Sequence, residues 1–219
     1  MIRKNNKRNL YELIMRDINK SIKKYLNENL IKYKYYPKNF NELRNLLKNL
    51  LEERGPDADL NDIDVSNITS FYNKQKDIWL FYDLDPHNIN ISQWDVSNVK
   101  NMFGTFFECK NFNGQGLENW NVSNVKNMDF MFAWCKKFTG QGLENWNVSN
   151  VKTMNNMFTK CKKFNCDLSN WDVSNVRSTQ SMFYGCEIFT GKGLEHWNIK
   201  DIKDTRNMFT DCNMLLNSI

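Results

Sequence analysis

The chain holds only two histidines among its 219 residues, His87 and His196. That leaves little material for a histidine-based metal site or a Ser/His/Asp relay. Six cysteines are present, yet no two form a Cys-x-x-Cys pair, so a zinc site is not expected. No run approaches the ~18 apolar residues of a membrane span. Met1 to Arg8 is basic, but no apolar stretch comes after it, so it does not read as an export signal. As it stands, the chain is expected in a reducing cytoplasm. No paired-carboxylate motif, nucleophile–base pair or cofactor fingerprint stands out. The expectation is therefore a protein that is not an enzyme, with no cofactor and no metal.

The residues that are abundant point to a packed core. Hydrophobic residues make up 41% of the chain and aromatic residues 14%, too many for a chain that stays disordered. The net charge of +5 is uneven: residues 1–59 hold 14 Lys/Arg against 8 Asp/Glu, and the remaining 160 residues sum to −1. The basic balance belongs to the leader rather than to the rest of the chain.

From about Leu60 the chain repeats itself. Trp94, Trp120, Trp146, Trp171 and Trp197 are 26, 26, 25 and 26 residues apart. The same register carries Phe106, Phe132, Phe158, Phe183 and Phe209, and then Cys109, Cys135, Cys161, Cys186 and Cys212. A degenerate earlier copy, Ile63 to Ile68, lies 31 residues upstream of the next one, so it carries an insertion of about five residues. Self-similarity of this period signals stacked supersecondary units.

Each copy has a physical reading. In Trp-x-Val, alternate residues face one way, as in a short half-buried strand. Met128, Met131, Phe132 and Cys135 then adopt helical spacing. Asn101, Asn127, Thr153, Ser178 and Asp204 stand just before these runs and are residue types that cap helices. Gly-x-Gly turns at 114–116, 140–142 and 191–193 lead back to the next strand. The link Asn165-Cys166-Asp167 lacks glycine and is one residue shorter. The expected fold is an α/β repeat solenoid of five to six coils, each a short parallel strand, a short helix or 3-10 turn and a Gly turn. One coil cannot bury its own Trp, Met and Phe, so neighbours must cover them.

The segment Phe164–Val176 reads Phe-Asn-Cys-Asp-Leu-Ser-Asn-Trp-Asp-Val-Ser-Asn-Val, and Met182-Phe183-Tyr184-Gly185-Cys186 comes after it. Over roughly residues 56–219 this pattern resembles the BspA-like leucine-rich repeat. The resemblance implies a leucine-rich-repeat-like solenoid and, more loosely, a bacterial cell-surface or adhesion role.

Residues 1–59 read as a basic helical leader and N-terminal cap ahead of the repeat solenoid at 60–219. One helix is expected from Asn9 to Ile31, with Leu10, Ile14, Ile18, Ile22, Leu26 and Leu30 in a row. A second is expected from Asn41 to Arg54, with Leu43, Leu46, Leu47, Leu50 and Leu51 on one side, and Gly55 stands just past its end. Tyr33 to Pro37 is expected to be extended.

Two surfaces are candidates for function. If Trp and Val point inward, the strand face presents Asp95 and Ser97, Asn121 and Ser123, Asn147 and Ser149, Asp172 and Ser174, and Asn198. Such a face suits a protein or glycan partner. The alternative is a basic column, Lys100, Lys126, Lys152, Arg177 and Lys203. With the basic first helix, it would bind a polyanion or a membrane surface. Nucleic acid is disfavoured, because the repeats as a whole are near neutral. Glu118, Glu144 and Glu195 form an acidic column elsewhere. The five register cysteines read as buried thiols and Cys166 as the reactive one. The sequence ends at Ile219, midway through a copy, so that end is expected to self-associate end to end, to dock on a partner or to continue a longer array.

Overall fold

The computed structural model describes residues 15–16, 18–20 and 33–216. The chain folds as two units, Met1–Lys34 and Tyr35–Ile219. In the first, residues 15–16 and 18–20 are helical, and the rest of the helix expected at Asn9–Ile31 lies outside the described residues. Among the described residues no helix is long and apolar enough to cross a membrane.

The second unit begins with Tyr35, whose N–H and C=O pair with Asp62 and Asp64 at 3.0 and 2.8 Å. Helix α1 comes next, at Phe40–Arg54. Its start is held by a reciprocal cap between Asn39 and Glu42. The Asn39 carboxamide oxygen accepts from Glu42 N–H at 3.1 Å, and the Glu42 carboxylate reaches back to Lys38 N–H at 2.9 Å. Leu43, Leu47, Leu50 and Leu51 are buried in the same core as the repeats. Gly55, at φ 84°, ends the helix and donates its N–H to Leu51 O. Arg54 then clamps the first copy, donating to both Asp62 oxygens at 3.0 and 2.9 Å. The insertion in that copy forms a two-residue hairpin. Strand β1 (Tyr72–Asn73) pairs antiparallel with β2 (Ile78–Trp79). Arg44 of α1 donates to the carbonyls of Trp79, Leu80 and Tyr82 at 2.7–3.0 Å, which ties the hairpin to the helix.

The later copies stack in register. The Phe106, Phe132, Phe158, Phe183 and Phe209 rings lie 5.5–5.9 Å from one to the next, with interplanar angles of 3–16°. Trp94, Trp120 and Trp146 stack at 6.2 and 6.5 Å. Each indole N–H reaches into the preceding copy; that of Trp146 meets Leu117 O at 2.9 Å. This satisfies a buried donor while the ring fills the core.

The local structure of each copy differs from the strand and helix expected. Trp-x-Val is not a strand. In Trp120–Val125 the Asn121 side-chain oxygen accepts from Ser123 N–H at 3.2 Å, and Val125 N–H returns to Val122 O at 2.9 Å. The segment is a side-chain-stabilised turn, a structure that Asn and Asp favour. The pairing between copies lies further on. Parallel bridges join Ser70, Asn101, Asn127, Thr153, Ser178 and Asp204 in one column. The expected helix caps are therefore ladder positions, and Asn127 Oδ1 accepts from Asp129 N–H at 2.8 Å.

The run with helical spacing is not a helix either. Met102, Gly104, Phe106 and Glu108 donate to Asn127, Asp129, Met131 and Ala133 of the next copy at 2.8–2.9 Å. The residues that alternate with them, Thr105, Phe107 and, just past Glu108, Cys109, close tight turns onto Met102, Gly104 and Phe106 at 3.0–3.2 Å. Alternate amides thus bond across copies and within the copy. Two residues per copy, four apart, adopt positive φ of 53–68°: 104 and 108, 130 and 134, 156 and 160, 181 and 185, 207 and 211. An α-helix requires negative φ throughout and every N–H bonded four residues back. The periodic left-handed residue breaks that scheme and turns half of the amides outward to the neighbour.

The Gly-x-Gly turns are set by close approach as well as by φ. A Cβ on Gly142 would stand 3.0 Å from Glu118 N in the preceding copy, and one on Gly140 would stand 2.6 Å from the Phe164 ring in the next. Helix α2, Asn213–Leu216, ends the described chain, and Met214 N–H donates to Glu187 O at 3.4 Å. Residues 217–219, on which part of the expected open end falls, lie outside the described residues.

Candidate interaction surface

The expected strand face lies on the turn corner of each copy. Asp95, Asn121, Asn147, Asp172 and Asn198 are exposed and in register, and Ser97, Ser123 and Ser149 are half-buried beside them, with Ser174 exposed. Part of their hydrogen bonding is spent locally. Asn147 Oδ1 accepts both the N–H and the hydroxyl of Ser149, at 3.2 and 2.7 Å. Asp172 accepts from the Ser174 hydroxyl and N–H, and those bonds hold its carboxyl below the usual carboxylate range. The next column joins copies: Asn98, Asn124, Asn150 and Asn175 donate to the carbonyls of Ser66, Ser97, Ser123 and Ser149 at 2.8–2.9 Å. The amide N–H groups of Asn121 and Asn147 are left to solvent.

The basic column is in register down to the backbone. Lys126 N–H donates to Lys100 O, Lys152 to Lys126 O and Arg177 to Lys152 O, at 2.8–2.9 Å. Lys100, Lys126, Arg177 and Lys203 are exposed and Lys152 is half-buried. Among the described residues the ion pairs are made by other cations, such as Lys162 with Glu187 and Lys192 with Asp167, both at 2.8 Å. The acidic column has a structural use: Glu118, Glu144 and Glu195 accept from the N–H groups of Gly116, Gly142 and Gly193 at 2.8–3.0 Å.

Cys166, expected to be the reactive thiol, is 3% exposed, with burial pushing its pKa up to about 12. It packs against Gly140, where an added Cβ would stand 2.6 Å from the Cys166 Cβ. The register thiols of Cys135, Cys161, Cys186 and Cys212 donate to Phe106, Phe132, Phe158 and Phe183 carbonyls at 2.9–3.0 Å. All six cysteines are free and buried.

Sequence reasoning missed an aromatic cluster on the ladder side. Tyr72 and Trp79 of the hairpin pack on Phe103 and Phe107 with centroids 4.7 Å apart, and Phe103 lies 5.6 Å from Phe130. Trp134 is 40% exposed. The signal was a departure from the repeat: the position of Phe103 holds Asp129, Asn155, Gln180 and Arg206 in later copies. A groove of about 400 Å³ lies elsewhere, lined by Asn113, Gln115, Glu118, Lys137, Thr139 and Gln141. Its one carboxylate is already engaged by Gly116.

These features define a repeat protein whose surface is built of polar and basic columns. The family model described as Mycoplasma protein of unknown function, DUF285, matches residues 42–141 and again 105–219. The chain belongs to that family. No curated protein and no solved structure matches it.

Proposed function

We propose that the chain is a leucine-rich-repeat-like solenoid of the BspA-like kind, and that it serves as a non-enzymatic interaction module at a surface. It would hold an extended macromolecule along columns that repeat once per copy. One observation carries this reading. Asn121 and Asn147 stand in one exposed column with one half of each amide fixed by serine and the other half turned to water. Repetition at one-copy spacing suits a partner that runs along the stack.

The test keeps the fold and changes the face. Asp occupies the same column at Asp95 and Asp172. Asn121→Asp with Asn147→Asp therefore keeps the turn acceptor while removing the outward donor. Labelled full-length protein titrated onto intact cells should bind saturably. The double variant should unfold at the same temperature and bind at least about tenfold more weakly, a loss of ~1.4 kcal/mol. Absence of saturable binding, or equal binding by both proteins, would sink the reading.

A second reading has its own observation, the basic column without ion pairs. A polyanion held there would weaken steeply with ionic strength, whereas a partner on the amide column would weaken only mildly.

A further inference from the structure

In a stack of copies, what recurs serves the fold, and what departs from the pattern needs another reason. The left-handed positions hold Gly104, Asn156, Ser181 and Asn207 in one register and Glu108, Lys160, Gly185 and Asp211 in the other. One copy is different. Phe130 and Trp134 occupy both of its positions, at φ 59° and 68°. Bulky side chains are rare in this region, because Cβ crowds the following carbonyl. The ladder holds them there: their N–H groups donate to Asn155 O and Thr159 O at 2.8 and 2.7 Å. Strain retained at a surface is an observation that leads to function. The core does not account for Trp134, which is 40% exposed.

The surroundings state the chemistry. Phe130 adjoins Phe103 and Phe107 at 5.6 and 6.2 Å, tilted by 49° and 67°, so these three rings form a cluster one turn before the exposed Trp134. Lys100 and Lys126 precede this segment of the ladder, and Lys110, Lys136 and Lys137 come after it, all of them exposed. Further along the same side the next copies hold Asn155, Asn156, Gln180 and Ser181, with Tyr184 beneath Lys160 the one ring that returns at the Phe107 register, while the basic column continues through Lys152, Arg177 and Lys203. Ladder neighbours stand ~4.8 Å apart, close to the length that one pyranose ring adds to an extended chain.

We propose that this ladder face binds a linear acidic polysaccharide, with a sugar ring stacked on the exposed Trp134 and successive acid groups along the Lys100–Lys203 column. The proposal rests on the second reading, with the basic column as the binding surface, and names its polyanion. Single-stranded nucleic acid fits less well, since it needs an aromatic face for successive bases, and here Asn155, Asn156 and Thr159 interrupt the rings after two copies.

The experiment measures binding of the full chain to an oligogalacturonate long enough to span the column, to its methyl ester, to poly-dT and to phosphatidylserine vesicles. The acid form should bind at least about tenfold tighter than the ester. Trp134→Asn should cut that affinity about tenfold or more while its unfolding temperature holds or rises, because Asn tolerates the left-handed backbone. Lys126→Gln with Lys152→Gln should weaken binding and flatten its salt dependence. The proposal is overturned by no binding to the acid form, by unchanged affinity of Trp134→Asn, or by a lowered unfolding temperature of that variant, which would make the ring a packing residue. Tighter binding to poly-dT or to the vesicles overturns it as well. If it fails while Asn121→Asp with Asn147→Asp still weakens cell binding about tenfold, the amide-column reading stands and the basic-column reading falls.

Discussion

Trp146 concentrates what a single residue contributes. It is 3% exposed, stacks on Trp120 and satisfies its indole N–H on Leu117 O. Trp146→Ala removes the ring from between copies and leaves the Leu117 carbonyl with Trp120 N–H alone as its donor. The expected loss is ~3–5 kcal/mol, in the range of large core truncations, measured by urea unfolding. A loss below about 1 kcal/mol, the size of a surface change, would refute the stacked arrangement. The thiols give a second check at this scale. All six should resist labelling in the native protein and react together once denaturant is added, Cys166 included. A fast Cys166 would mean that its seat against Gly140 is open.

At the scale of elements, α1 is the one long helix described, and two side chains hold it in place. Arg44 meets three hairpin carbonyls, and burial lowers its pKa below the ordinary guanidinium value. Arg44→Met keeps most of the aliphatic stem but removes these charge-assisted bonds. It should cost about 1.5–3 kcal/mol and raise hydrogen-exchange rates in Tyr72–Trp79 first. Uniform exchange across the unit would argue against a local clamp. Asn39→Ala removes the capping oxygen and should cost about 1 kcal/mol, read from the same urea curves. The helix was legible because its four buried leucines recur at helical spacing, and its cap and Gly55 mark both ends. The helix expected inside each copy was misread for an instructive reason. Met128, Met131, Phe132 and Cys135 are all buried, so the apolar pattern was right. Successive turns that alternate their hydrogen bonds bury the same positions as a helix, and burial alone does not distinguish the two.

For the whole molecule, the thiol column ties stability to pH. Burial raises the pKa of Cys109, Cys135, Cys161 and Cys186, takes Cys166 to about 12 and takes Cys212 to about 11. A thiol with a folded pKa above its unfolded value of about 9 stabilises the fold fully below pH 9. As the pH rises, only the unfolded chain ionises, and that stability is lost progressively up to the folded pKa. Each thiol then removes about 1.4 kcal/mol per pH unit. The unfolding temperature should therefore stay nearly level from pH 7 to 8.5 and drop steeply above about pH 9. A variant with Cys135 and Cys161 both changed to Ala should show a shallower alkaline slope. Equal slopes would mean that the thiols ionise in place.

Sequence alone determined the period, the copy boundaries and the identity of the core. These rest on which residues must leave water, and Trp, Phe, Met and Cys at one register have no other way to be buried. It also determined the unbroken basic column, because identical register places Lys100, Lys126 and Lys152 in line whatever the backbone does between them. Only the tertiary structure decided where copies pair. The ladder runs through the 100–108 segment and not through Trp-x-Val, since amide pairing depends on φ at residues such as Phe130 and Trp134, and those residue types do not announce a left-handed backbone. Tertiary structure likewise decided that Cys166 is buried, because its cover includes Gly140 of the copy 26 residues before it, and that Glu118 is spent on its own turn, a bond two residues long that the residue type alone does not announce.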